Sequence, residues 1–175
     1  MRKLIVSIKG LVLCSCMLAA LTGCGETDLD HYNKGVNLMG QPGQTELAEQ
    51  QFKLALQKNP ELAEAYLNLG AIYLRQGLLE GAESNTGKAI SILERTKRTY
   101  VEGSTWNQTA SIAYLNLGLI EINKALAAEL KSDKDLARNH MLMALAPFKR
   151  AVDLDPGNLK AKANLERFKE IYQKD

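Results

Sequence analysis

The pentapeptide Tyr-Leu-Asn-Leu-Gly occurs twice, at Tyr66–Gly70 and at Tyr114–Gly118. A chain that repeats itself on this scale is built from units too small to bury their own apolar faces, so the units must stack. Around the first copy a 34-residue period emerges: Ala48, Phe52, Ala55 and Pro60 correspond to Ala82, Thr86, Ala89 and Glu94. Further on, Ala144, Phe148, Ala151 and Pro156 repeat the same internal offsets. Steps of three and four residues put these positions on one helical face. Alternating small residues and rings has a packing reason: two antiparallel helices approach closely only where bulk is removed, and a ring fills the gap to the next pair.

Together with Tyr66, Leu69, Gly70 and Tyr73, this pattern resembles the tetratricopeptide repeat. The resemblance implies an all-α solenoid of helical hairpins. Three units are expected, at about 29–62, 63–100 and 106–158, followed by a capping helix at 159–173, so the repeat domain spans 29–175. Gly40-Gln41-Pro42-Gly43 predicts a turn lengthened by one residue, and Gly77 marks the next internal turn. Apolar residues at Ala89, Ile92, Leu93 and Tyr100 predict that the second helix of unit two runs on through Tyr100. Gly103-Ser104 then breaks it, and Thr105 with Gln108 forms a capping box for the next helix.

The two pentapeptides lie 48 positions apart, 14 more than one period, and Gly118 to Ala144 is likewise 14 residues longer than Gly70 to Ala82. Ile122, Leu126 and Leu130 carry the apolar stripe onward, and Ser132 with Asp135 predicts the restart of the returning helix. Both helices of unit three should therefore be about two turns longer than usual, with a kink at Pro147. The capping helix is expected to bury Leu159, Ala163, Leu165, Phe168 and Tyr172. Gly81, Gly87 and Thr86 weaken the second helix of unit two, either as a marginal helix rescued by its neighbours or as a surface smoothed for another chain.

Ahead of the repeats, Arg2, Lys3 and Lys9 precede an apolar run over Leu11–Leu21 that is too short to span a bilayer, which takes roughly 20 residues. Leu21-Thr22-Gly23-Cys24 resembles the bacterial lipobox. The resemblance implies a signal peptide at 1–23, a lipid covalently attached at Cys24, and a tether at 24–28. Two or three acyl chains at about 0.8 kcal/mol per buried methylene give stable membrane anchoring. Cleavage would remove three cations and no acid, shifting the net charge from +2 to −1 and leaving no basic excess for nucleic acid. Gly25 after the cysteine, where an aspartate would favour the inner membrane of enterobacteria, points to the outer membrane facing the periplasm.

Catalysis finds little support. His31 and His140 stand far apart outside any metal-ligand spacing, no cysteine remains free as a nucleophile, and no phosphate loop occurs. No cofactor is expected beyond the lipid on Cys24, and the chain reads as a non-enzyme. The family's concave surface maps onto Leu67, Asn68, Ala71 and Leu74 in unit two, and onto Leu115, Asn116, Leu119 and Ile122 in unit three. These eight positions form the expected partner groove, suited to a protein or peptide segment with apolar anchors. A carboxylate clamp is disfavoured, because Leu67, Ala71 and Ile112 replace the basic residues it uses. Two other fillings stay open, the capping helix and a second copy of the chain. The functional reading is a lipid-anchored adaptor of the bacterial envelope, in pilus or secretin assembly or a related envelope complex. The alternative is a carrier for an apolar small molecule or acyl chain.

Overall fold

The computed structural model describes residues 25–172, which form seven helices and, among the described residues, no strand. Cys24 and the expected signal peptide lie outside the described residues. The helices are α1 (Asp28–Met39), α2 (Thr45–Lys58), α3 (Ala63–Arg75), α4 (Leu79–Thr96), α5 (Trp106–Leu130), α6 (Lys134–Leu154) and α7 (Leu159–Tyr172). They pair as three hairpins, α1–α2, α3–α4 and α5–α6, with α7 laid on the last. The odd-numbered helices α3, α5 and α7 also touch in series, giving an all-α solenoid of the tetratricopeptide type.

A glycine on the first helix of each hairpin meets a side chain on the second. A Cβ added at Gly35 would stand 2.7 Å from the Phe52 ring, and one at Gly118 would stand 2.5 Å from Phe148. In the middle hairpin the partner of Gly70 is Thr86, whose hydroxyl is buried with no hydrogen-bond partner. Thr86 thus fills the ring position with less volume, and the hairpin closes around it. Gly81 sits under the Tyr73 ring, which an added Cβ would meet at 3.1 Å, whereas Gly87 faces open space.

Carboxylates tie each hairpin to the next. Glu49 on α2 accepts from Lys53 at 2.6 Å and from the Tyr73 hydroxyl at 2.7 Å. Glu94 on α4 accepts from Lys97 and from the Tyr114 hydroxyl at 3.3 Å, and forms an ion pair with Arg150 at 3.7 Å. The lysine in each set does most to hold the carboxyl below the usual carboxylate range.

The lengthening of unit three falls at the tip of its hairpin. α5 runs on from Asn123, the counterpart of Arg75, to Leu130, and α6 starts at Lys134 instead of Met141, the counterpart of Leu79. Each helix gains about two turns there, and α6 continues through Pro147 without interruption. The Thr105 capping box forms as the spacing predicts, with both reciprocal hydrogen bonds present.

Three expectations differ. α4 stops at Thr96, one turn short of Tyr100, because Lys97 adopts a left-handed conformation and the following main chain is captured elsewhere. Asp133, not Ser132, caps α6, since its carboxylate accepts the Leu136 N–H while Ser132 takes a positive φ in the turn. On α7 the buried positions are Ala161, Leu165 and Phe168, while Leu159 and Ala163 face solvent.

Candidate functional site

The seam between α5 and α7 stays open along its length. At one end a cavity of about 450 Å³ is lined by Leu119, Ile122, Leu126 and Met141 against Asn164, Arg167, Phe168 and Ile171. At the other a cavity of about 560 Å³ runs past Gln108, Ile112, Leu115 and Asn116 against Asn158 and Lys160. The two adjoin at Leu119 and together make up the α5–α7 trough. Its openness follows from a mismatch of lengths: α7, at 14 residues, cannot cover the 25 residues of α5. Hydrogen bonds fix the lower end, where Ser111 donates to the Ala151 carbonyl at 2.7 Å. Asn158 donates to Ser111 Oγ at 3.0 Å while accepting the Ala161 N–H at the start of α7.

The four expected groove residues of unit three all line this trough, with Leu115 buried at its floor and Leu119, Ile122 and Asn116 half-buried on its walls. Their counterparts in unit two are buried to the same degree, but none of them lines either cavity. Leu67 is 7% exposed and packs with Ala63, Ala89, Leu93, Ala110 and Ala113. Here the covering helix is α5, whose alanines sit close and whose length exceeds that of α3. Asn68 donates to the Tyr32 hydroxyl at 3.3 Å and to the Glu64 carbonyl at 3.0 Å. Ala71 and Leu74 are half-buried.

A buried carboxylate organises the segment between α4 and α5. Glu64, 4% exposed, accepts the Tyr100 N–H at 2.8 Å and the Val101 N–H at 3.4 Å on one oxygen, and its other oxygen has no partner. Val101 packs on the cluster that holds Tyr32, Phe52 and Leu69. The residues inserted between the two pentapeptides are therefore spent partly on a loop bound back to the first two units. Sequence alone marks Glu64 as one more surface acid.

The remaining polar groups serve the fold. Glu121, buried on α5, accepts from Lys124 at 3.2 Å and pairs with His140 at 2.8 Å, while Lys124 also reaches Glu83 at 2.7 Å. Burial works against the Lys124 charge, but Glu83 and Glu121 outweigh it and hold the ammonium above the ordinary lysine range. His31 pairs with Gln51 at 2.9 Å. Arg95 bridges to Glu61, and Lys97 lies 4.2 Å over the Trp106 ring, so both cations are engaged within the molecule. Among the described residues no group of three acids, histidines or cysteines could hold a metal, and no helix is long and apolar enough to cross a membrane.

Sequence reasoning missed the α7 wall, Lys160, Asn164, Arg167 and Ile171, together with Ile112 and Leu126 on α5. A signal was available in the sevenfold spacing of Ile112, Leu119 and Leu126, matched by Lys160 and Arg167. Seven residues are nearly two helical turns, so each set lines one edge.

A solenoid of helical hairpins with a trough along α5 and α7 offers a surface on which another chain can lie. The family model described as a TPR repeat matches residues 41–77, which span α2 and α3 with the turns on either side. The chain thus contains a TPR repeat, a module that binds protein partners and is typically non-catalytic. Comparison with curated proteins gave no match.

Proposed function

We propose that this protein is a lipid-anchored adaptor of the bacterial envelope. A lipid on Cys24 holds it at a membrane, and the α5–α7 trough receives a segment of a partner protein through apolar anchors. The observation that carries the binding half is the pair of adjoining cavities, whose walls expose Ile112 at 45%, Leu126 at 48% and Ile171 at 60%. Apolar side chains gathered along a groove are retained in water at a cost that binding removes. The anchoring half rests on the agreement of charged start, apolar run and Leu21-Thr22-Gly23-Cys24. Assembly of a pilus, a secretin or another envelope complex is the process that such an adaptor serves.

Leu119 touches both halves of the trough, so Leu119→Glu is expected to abolish partners recovered by crosslinking from intact envelopes without lowering the melting temperature. An unchanged set of captured proteins on a folded variant would refute the trough. Cys24→Ser is expected to end acyl labelling and release the chain from membranes; retention at the membrane would reject the anchor.

A further inference from the structure

We infer that the trough takes a negatively charged amphipathic helix, aliphatic on one face and carrying carboxylates along one edge. The inference rests on the protein-binding reading above and specifies the partner's chemistry.

Two observations carry it. The first is the asymmetry of the walls. The α5 wall is aliphatic, with Ile112, Leu119 and Leu126 at heptad spacing. The α7 wall carries Lys160 and Arg167, both exposed, and neither side chain makes an ion pair or hydrogen bond among the described residues. The two cations are about 10 Å apart at about 1.5 Å per residue. Carboxylates two turns apart on a bound helix would meet both, while its aliphatic face lies on α5. The trough's one acid, Asp155, lines the same half as Lys160, with one oxygen already accepting the Gly157 N–H at 2.9 Å.

The second observation is the scarcity of backbone partners in the upper half. An extended segment would bring its own N–H and C=O groups into the groove, and each buried one needs a partner. The upper half offers only Asn164 and Arg167 as polar lining, and the Asn164 amide is spent on the Lys160 carbonyl at 2.8 Å. On the opposite side the Asn123 amide donates to the Leu119 carbonyl at 2.8 Å. A helix satisfies its own backbone, so this upper half favours a helix over a strand, while Ser104, Gln108, Thr109 and Asn116 give the lower half a polar lining. From Gln108 to Leu126 the trough runs about 27 Å, which matches a helix of about 18 residues.

The test uses the full chain in neutral lipid nanodiscs, with empty nanodiscs subtracted, and two synthetic peptides of that length. The peptides share a leucine face and are flanked by glutamates in one and lysines in the other. The glutamate peptide should bind about tenfold tighter at low salt and gain helicity on binding, with the preference fading at high salt. Combining Lys160→Glu with Arg167→Glu should reverse it. Equal affinities, a preference that survives the double variant, or a peptide bound without helix would overturn the inference. So would oleate binding there in place of either peptide. If Leu119→Glu still removes both peptides when charge proves irrelevant, the protein-binding reading stands alone; if Leu119→Glu changes neither, that reading fails as well.

Discussion

Leu67→Glu is expected to unfold the protein's centre, whereas Leu119→Glu, on the wall of the trough, should leave stability nearly unchanged. Leu67 points from α3 into a cluster made wholly of apolar side chains, including Ala89, Leu93, Ala110 and Ala113, and only 7% of it is exposed. Burying a leucine contributes about 1.5–3 kcal/mol, and a carboxylate in its place adds the cost of an ion with no partner. The total should exceed about 4 kcal/mol, a large part of the about 5–15 kcal/mol that holds a domain together. Leu119 stands half-buried on an open wall, where a carboxylate keeps contact with water, so its substitution should cost within about 1 kcal/mol. Urea denaturation followed by circular dichroism separates the two. A Leu67→Glu protein as stable as the parent would mean that the α3–α5 seam is open in solution and that the trough is one of two.

The contrast explains how much of the molecule was legible in its sequence. The hairpins, the stacking order, the capping box at Thr105 and the two added turns on each helix of unit three follow from spacing, because spacing decides which side chains share a helical face. The identical pentapeptides, with Leu67 7% and Leu115 5% exposed, could not reveal that cavities open beside the second copy. That depends on the helix laid over each: α5 is longer than α3, and α7 is shorter than α5. The stop of α4 at Thr96 was hidden for a similar reason. Ile92, Leu93 and Tyr100 keep helical spacing, but the Tyr100 N–H is taken by Glu64, 36 residues away, and no local rule registers a partner that distant. On α7 the periodicity was read one face off, favouring Leu159 and Ala163 over Ala161, because an amphipathic helix at the end of a stack has two sides that look coverable and a neighbour on only one.

Phe148→Ala is the second substitution expected to have a large effect, at about 3–5 kcal/mol. The ring is fully buried, lies against Gly118 across the hairpin, and shares a cluster with Leu115, Ala151, Ala161 and Leu165. Removing it leaves a hole that the two long helices cannot close, because Glu121, His140 and Ser111 pin α5 to α6 on either side of the gap. The same cluster forms the floor of the trough and the seat of α7, so the lost stability should come with loosened α7 and weaker partner binding. Thr86→Ala at the equivalent position of the middle hairpin provides the control. The volume removed there is small, the hydroxyl lost has no hydrogen bond to lose, and about 1 kcal/mol or less is expected, with partner binding intact. Hydrogen exchange on both variants, read at the α7 amides, measures the coupling directly. If Phe148→Ala destabilises the protein while α7 keeps its parental protection, the capping helix is held from elsewhere and the trough does not depend on the ring beneath it.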